Sequence, residues 1–403
     1  MKKIISAMLA AFMILVVMPV VSQAVTDGSY TYMVKDGLAT ITEVSDEISG
    51  KVIVPDKFVV EGVGEYPVVT IGGGAFSQKE NITEVVLPDG LTTIGENAFY
   101  ECRGLVRVNI PESVRTIGYG AFRGSSITEI SIPNGITDIG NVMFYECVEL
   151  VSVYIPDSVN VIGDDAFAGC EKLENIVIPE SVKSIGDHAF LGCKSLKKIE
   201  IPAGVTIIPH YIFADCTALE EITIPEGVTT IDFNAFEGCS SLKRIDLPKK
   251  LVKIGSEAFE DCSSLEQVIF GENVSLIEYD AFAGCTSLKS VTIPENVTDI
   301  SSDAFKGCTN LVVIECYEGS AAETFAENNG FVVKYLEKLF SPGDVNLDNN
   351  ISLSDVSLAL KYIAKWDVNI NIDSADVTGD EKVTLSDVSL LLQYIAKWDV
   401  TLK

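Results

Sequence analysis

Apolar positions recur on a fixed beat through most of the chain. Phenylalanine stands at Phe76, Phe99, Phe122, Phe144, Phe167, Phe190, Phe213, Phe236, Phe259, Phe282 and Phe305. Prolines keep step at 88, 111, 133, 156, 179, 202, 225, 248 and 294, in strides of 23 or 22 residues with one double stride that Gly271 fills. A period in the twenties marks a solenoid, each unit one turn of a coil. In the unit that starts at Ile178, alternation predicts a short strand with Ile199 and Ile201 inward and Lys198 and Glu200 outward. Leu196, Val182, Ile185, Ala189, Phe190 and Cys193 complete the inward ring. One turn cannot bury that ring alone, and stacking against both neighbours does. The expected fold is a β-rich solenoid of short parallel strands, about 11 units over 68–316.

The pattern changes at both ends. Tyr30 to Val34 and Leu38 to Ile41 alternate around Asp36-Gly37, a hairpin signal, so 25–67 is expected to be an N-terminal β cap. Ser320 opens a run of helix formers that Gly330 ends, and Phe331-Val332-Val333 follows as a strand, a C-terminal cap over 317–336. Residues 337–342 are expected to be linker. At the start, Met1-Lys2-Lys3 precedes an apolar run to about Val21, and Ser22-Gln23-Ala24 has small-x-small form. A signal peptide over 1–24, cleaved after Ala24, is the expectation, with a retained anchor the rival. After cleavage no other segment is apolar enough to enter a membrane, and an extracellular protein, scaffold- or cell-surface-associated, is expected.

The unit's I-P-x-x-V-x-x-I-G-x-x-A-F-x-x-C-x-x-L pattern resembles the BspA-type leucine-rich repeat family from Val69 to Cys316. The resemblance implies a secreted or surface protein with adhesive or protein-binding work. Nine cysteines, from Cys102 to Cys308, share one inward column. The position suits packing, Cys serving as a small hydrophobe, and the alternative is a metal or redox site. Outward strand positions form two columns, and Arg107, Tyr154, Val177, Lys198 and Arg244 mark the face where a protein or glycan ligand would lie. Tyr154 and Val177 are its adjacent large apolar groups.

From Gly343 onward the chemistry differs. Asp344, Asn346, Asp348, Ser352 and Asp355 place side-chain oxygens at positions 1, 3, 5, 9 and 12 of a twelve-residue loop, and Asn350 at position 7 offers its carbonyl. Thirty-two residues on, Asp376, Thr378, Asp380, Lys382, Thr384 and Asp387 repeat the arrangement. Ca²⁺ takes six to eight oxygens, and this spacing wraps them around one point. Position 6 is Asn349 or Glu381 rather than Gly, and position 12 is Asp rather than Glu. Amphipathic helices are expected from Asp355 to about Lys365 and from Asp387 to about Lys397. This duplicated loop-then-helix pattern over 343–403 resembles a type I dockerin. The resemblance implies a small all-α module, two calcium ions and a cohesin partner on a scaffoldin or surface protein. Leu353 with Ser354, and Leu385 with Ser386, hold the cohesin-contacting positions of that family. The two halves match closely, Tyr362 to Trp366 repeating as Tyr394 to Trp398, so two equivalent docking orientations are expected.

Charge narrows the partners. Lys plus Arg number 29 against 58 Asp plus Glu. Without Lys2 and Lys3 the balance is 27 − 58 = −31, which argues against nucleic acid and anionic membrane. The sequence holds no G-x-S-x-G, H-E-x-x-H or P-loop, and the regular turns leave no insertion for paired catalytic carboxylates. His188 and His210 are expected at the surface. The reading is a non-catalytic binding or adhesion protein. A polysaccharide-degrading, glycoside-hydrolase-type enzyme of a cellulosome is the second reading, and a protease inhibitor or substrate-targeting subunit the third.

Overall fold

The structure, a computed structural model, describes residues 24–26, 28–336, 341–348, 350–397 and 400–402. The expected signal peptide as far as residue 23, linker residues 337–340, Asn349 and Trp398 lie outside the described residues. The chain divides into two compact units, Met1–Tyr335 and Leu336–Lys403.

In the first unit the chain winds as a parallel β-solenoid of about twelve turns. Most turns give a three-residue strand to one face, such as Lys198–Glu200 against Glu221–Thr223, and a two-residue strand to another, such as Ile207–Ile208 against Thr230–Ile231. Register advances by one repeat, Ile199 facing Ile222 and Ile208 facing Ile231. The inward ring of the Ile178 unit is buried as the alternation predicts, Leu196, Ile199 and Phe190 being at most 1% exposed.

Successive phenylalanines from Phe76 to Phe305 form one internal stack, with ring centroids 4.9 to 5.7 Å apart. Each ring touches one above and one below, so deleting one leaves a void two neighbours cannot fill. Phe190→Ala and Phe213→Ala should each destabilise the solenoid by about 3–5 kcal/mol in denaturant unfolding. A loss under about 1 kcal/mol at both would show that the stack does not hold the coil together.

The nine column cysteines are buried, and all ten cysteines of the chain are free. Each column thiol donates to the carbonyl of the phenylalanine one turn back, as Cys193 does to Phe167 and Cys216 to Phe190, at 2.9 to 3.3 Å. Ser125 fills the column in the turn that is one residue short, its Oγ 3.5 Å from Cys147 Sγ. Burial pushes the thiols of Cys102, Cys147 and Cys216 up to about 12. At the last turn of the column the neighbouring Cys285 thiol lowers the pKa of Cys308 below its usual value. Alkylation at pH 8 should therefore reach Cys308 first and leave Cys147 to Cys262 unmodified until the chain unfolds, as mass spectrometry of labelled peptides would show. Interior thiols that label as fast as in denaturant would contradict this account.

The ends hold one correction. Strands β1 (Ala24–Thr26), β2 (Tyr30–Lys35) and β3 (Leu38–Val44) pair antiparallel in that order, and Asp36 (φ 54°) and Gly37 (φ 78°) make the predicted tight turn. Yet β3 and the next strand, β4 (Gly50–Ile53), stack in parallel on the first repeat, Ile41 facing Ile71 and Val52 facing Val85. Leu38 to Ile53 is thus a turn of the coil and not only a cap over it. Ala39, Ile41, Val44 and Val52 supply its inward ring without Phe, Pro or Cys to mark the period. A hairpin of β5 (Lys57–Val60) and β6 (Gly64–Ile71) follows, and its Phe58 stacks on Tyr32 at 3.7 Å. At the other end, α1 (Ala321–Asn329) is capped by Ser320, which accepts from Glu323 N, and is closed by left-handed Gly330. Val332–Tyr335 then pairs in parallel with Val313–Cys316.

The histidines also depart from expectation. Both are half-buried: His188 stacks on Tyr211 at 5.0 Å and His210 lies 3.9 Å from the Phe233 ring. Equivalent turn positions sit one above another, so each ring is covered by the next rung.

The second unit packs α2 (Leu353–Ile363) and α4 (Leu385–Ile395) over a small core of Val345, Val356, Ala359, Ala375, Val377, Val388 and Leu391. A four-residue helix, α3 (Ile372–Ala375), which the sequence pattern did not suggest, precedes the second loop. Both long helices begin two residues earlier than expected, at Leu353 and Leu385. Ser352 and Thr384 are their N-caps, and Asp355 and Asp387 close capping boxes, so the helical first turn lies inside the loop motif.

Candidate metal loops and docking face

Two aspartates anchor the loops. Asp355 and Asp387 are fully buried. Asp355 Oδ1 accepts from Asn346 N (3.1 Å) and Oδ2 from Ser352 N (2.9 Å). Asp387 repeats this with Thr378 N (3.0 Å) and Thr384 N (2.7 Å). The first positions correspond as well: Asp348 N donates to Asp344 Oδ1 (3.0 Å) and Asp380 N to Asp376 Oδ1 (3.1 Å). At the fifth positions, Asp348 Oδ1 accepts from Asn350 N (2.9 Å) and Asp380 Oδ1 from Lys382 N (3.1 Å). Burial raises the Asp376 pKa, but the N–H groups of Asp380, Gly379 and Glu381 and the Thr378 hydroxyl outweigh it and hold the carboxyl below its usual value. Leu347 and Gly379, both at position 4, adopt positive φ, as does Glu381 at position 6, where the EF-hand takes glycine.

These contacts fold each loop back on its own aspartates, whose carboxylates accept from backbone N–H groups within the loop. Among the described residues no three His, Cys, Asp or Glu side chains form a ready-made metal cage. The donor set nonetheless fits a hard cation. Asp355 and Asp387 are buried carboxylates, and among the described residues neither has a cationic side chain within salt-bridge distance. A buried charge with only N–H and hydroxyl donors is costly, and a divalent cation is the partner that relieves it. Every candidate ligand is an oxygen, from Asp344, Asn346, Asp348, Ser352, Asp355 and the Asn350 carbonyl, or from Asp376, Thr378, Asp380, Thr384, Asp387 and the Lys382 carbonyl. In the first loop Asn346 Nδ2 donates to Asp348 Oδ2 (2.8 Å), which leaves its own oxygen for the backbone of Asp348.

The helices present matching outer faces. Leu353 and Leu385 are each 64% exposed, and Ser354 and Ser386 are exposed beside them. Leu360 and Leu392 lie two turns further along the same faces and are also exposed. Ser354 Oγ is 2.6 Å from Ser352 Oγ, which ties the outer face to the loop behind it. Both helices end alike, with Lys365 and Lys397 at φ 59° closing back onto Tyr362 O and Tyr394 O.

On the solenoid, Arg107, Tyr154, Val177, Lys198 and Arg244 are all exposed on the longer-strand face. Only neighbours come together. Tyr154 and Val177 line one hollow, and Val177 and Lys198 line the next. Lys198 pairs with Glu200 (3.1 Å) and Arg244 with Asp246 (2.8 Å), so these cations are engaged along the face.

A coil of stacked leucine-bearing turns followed by duplicated acidic loop–helix units defines a repeat scaffold with a docking module. The chain belongs to the BspA type leucine rich repeat family, which matches six copies over residues 69–197 and 183–312, and residues 342–396 match the type I dockerin domain. Type I dockerins as a class bind calcium and cohesin modules. None of the curated proteins compared matches the chain. Among solved structures, a leucine rich cell surface protein of Faecalibacterium prausnitzii is 27% identical over 79% of this chain and 96% of its own, with a TM-score of 0.46. The T. pallidum leucine rich repeat protein TpLRR is 28% identical over 55% of this chain and 91% of its own, at 0.38. The pneumococcal vaccine antigen PcpA is 18% identical over 79% and 99%, at 0.47.

Proposed function

We propose that this is a secreted, non-catalytic binding protein, held on a cohesin-bearing scaffold by its calcium-loaded dockerin and displaying the solenoid's strand face to a protein or glycan. The observation that carries the reading is the pair of fully buried carboxylates, Asp355 and Asp387, each at the closing position of an oxygen-rich loop and each lacking a cationic side-chain partner among the described residues. Asp344, Asn346, Asp348, Ser352 and Asp355, with the Asn350 carbonyl, hold one ion. Asp376, Thr378, Asp380, Thr384 and Asp387, with the Lys382 carbonyl, hold the other. The ion supplies positive charge that draws the loop ends together and fixes the first turns of α2 and α4. Leu353, Ser354, Leu385 and Ser386 then form two copies of one contact surface.

The test is a pull-down from the source organism's surface extract, with the full chain and a chain ending at residue 336. Cohesin-bearing protein should be recovered only with the full chain and only with calcium present. Equal recovery in chelator would defeat the docking assignment. Turnover of a polysaccharide or peptide panel above a heat-killed control would defeat the non-catalytic one.

A further inference from the structure

We propose that the hollow beside Tyr154 receives a lysine or arginine side chain from a protein segment lying on the strand face; this rests on the reading of that face as the ligand surface. The hollow, about 720 Å³, opens between adjacent turns. Its apolar wall is Tyr154, 58% exposed, and Val177, 79% exposed. Its polar groups are the carboxylates of Glu129 and Asp157 and the hydroxyls of Ser131 and Ser152, and no cationic side chain lines it.

What sets the place apart is an exposed aromatic ring beside carboxylates that no cation of the chain pairs. In the outward strand columns other acids are paired within the fold: Lys198 bridges Glu200 and Glu221, Arg244 bridges Asp246, and Lys334 bridges Glu315. Glu129 and Asp157 make no ion pair or side-chain hydrogen bond among the described residues. Arg107, one rung away, does not bridge Glu129. Register puts Ser131 opposite Tyr154 and Glu129 opposite Ser152, so Glu129 lies diagonally across from the ring, about 8 Å away at the backbone. A cation seated over the ring, within about 6 Å of its centroid, is within reach of that carboxylate, while its aliphatic stem covers Val177. The same coil already stacks a guanidinium this way: Arg123 lies 4.9 Å over Tyr145 and 5.5 Å over Tyr100. A neutral sugar could stack on Tyr154 and donate hydroxyls to the carboxylates, but it would leave their charge uncompensated, which is why the cation is favoured.

The test uses the full chain and three labelled probes at low salt: a decapeptide alternating Lys and Ala, its Gln–Ala counterpart, and cellohexaose. Fluorescence anisotropy should show the lysine peptide bound and the glutamine peptide unbound. Binding should fall at least tenfold in Tyr154→Ala and in Glu129→Gln/Asp157→Asn. It should change less than twofold in Glu220→Gln/Glu272→Gln, which removes the same charge from exposed sites elsewhere. Tyr154 is exposed, so the variant should melt like the wild type, and that melt is measured alongside. Lysine-peptide binding that is equal in all variants is unspecific attraction to an acidic chain and overturns the proposal. Cellohexaose binding that Tyr154→Ala abolishes, without a lysine preference, overturns it and leaves the strand face as ligand surface. If no probe responds to Tyr154→Ala, both fail.

Discussion

A chain with aspartate at both Leu353 and Leu385 should lose cohesin affinity by at least about a hundredfold, while either replacement alone should cost about twofold. The asymmetry follows from duplication. The two leucines open α2 and α4, are equally exposed, and stand on loops with matching hydrogen bonds. If a cohesin binds either face equally well, losing one removes half the ways of docking and nothing more. Losing both places a carboxylate at the centre of each apolar contact, where a buried and unpaired charge is costly. Hot-spot truncations alone cost about 2 kcal/mol or more, and a hundredfold loss is about 2.8 kcal/mol. Calorimetry with a purified cohesin in calcium reads all three variants. A single variant as weak as the double would show that one face does the docking. A double variant of wild-type strength would remove these leucines from the contact.

What the sequence discloses and what it hides divide along a physical line. Stacking forces chemically equal positions onto equal rungs, so Phe190 and Phe213, or Lys198 and Glu221, declare their places by spacing alone. The turn from Leu38 to Ile53 stayed hidden because Ala39, Ile41 and Val52 bury well without repeating the Phe and Cys landmarks. The column of thiols was legible as buried. Its reason was not, because the phenylalanine carbonyl that accepts from each thiol is 26 or 25 residues away in sequence and adjacent only once the coil is wound. Ser125 stands three residues after Phe122, as Cys102 does after Phe99, and could have been found by aligning the column. In the docking module the oxygen spacing was plain. The helix starts were misplaced because Asp355 and Asp387 do two things, closing the loop and boxing the helix N-terminus, and spacing alone showed the first.

Calcium removal should unfold the docking module and leave the solenoid standing. The module's core is seven buried residues, two of them alanine, and the carboxylates of Asp355 and Asp387 are buried too. Units near sixty residues are marginal on apolar burial alone and commonly need a metal. Without the ion these carboxylates keep only backbone N–H and hydroxyl partners, and the first turns of α2 and α4, built on the same aspartates, lose their anchor. Binding to the folded form alone adds about 4 kcal/mol at a calcium concentration a thousand times Kd, enough to decide whether so small a core folds. The solenoid has no share in this, since its stability resides in the phenylalanine stack and turn-to-turn contacts. Excess chelator should therefore abolish most of the helical far-ultraviolet signal while the main melting transition shifts by less than a few degrees. Titration of the full chain should take up two ions, and Asp355→Ala or Asp387→Ala one each, because every ligand in the opposite loop is intact. Two ions retained by either variant would mean the closing aspartate is not a ligand. Helicity indifferent to chelator would mean that the loops are held by their own hydrogen bonds, and the metal would have no part in forming the docking surface.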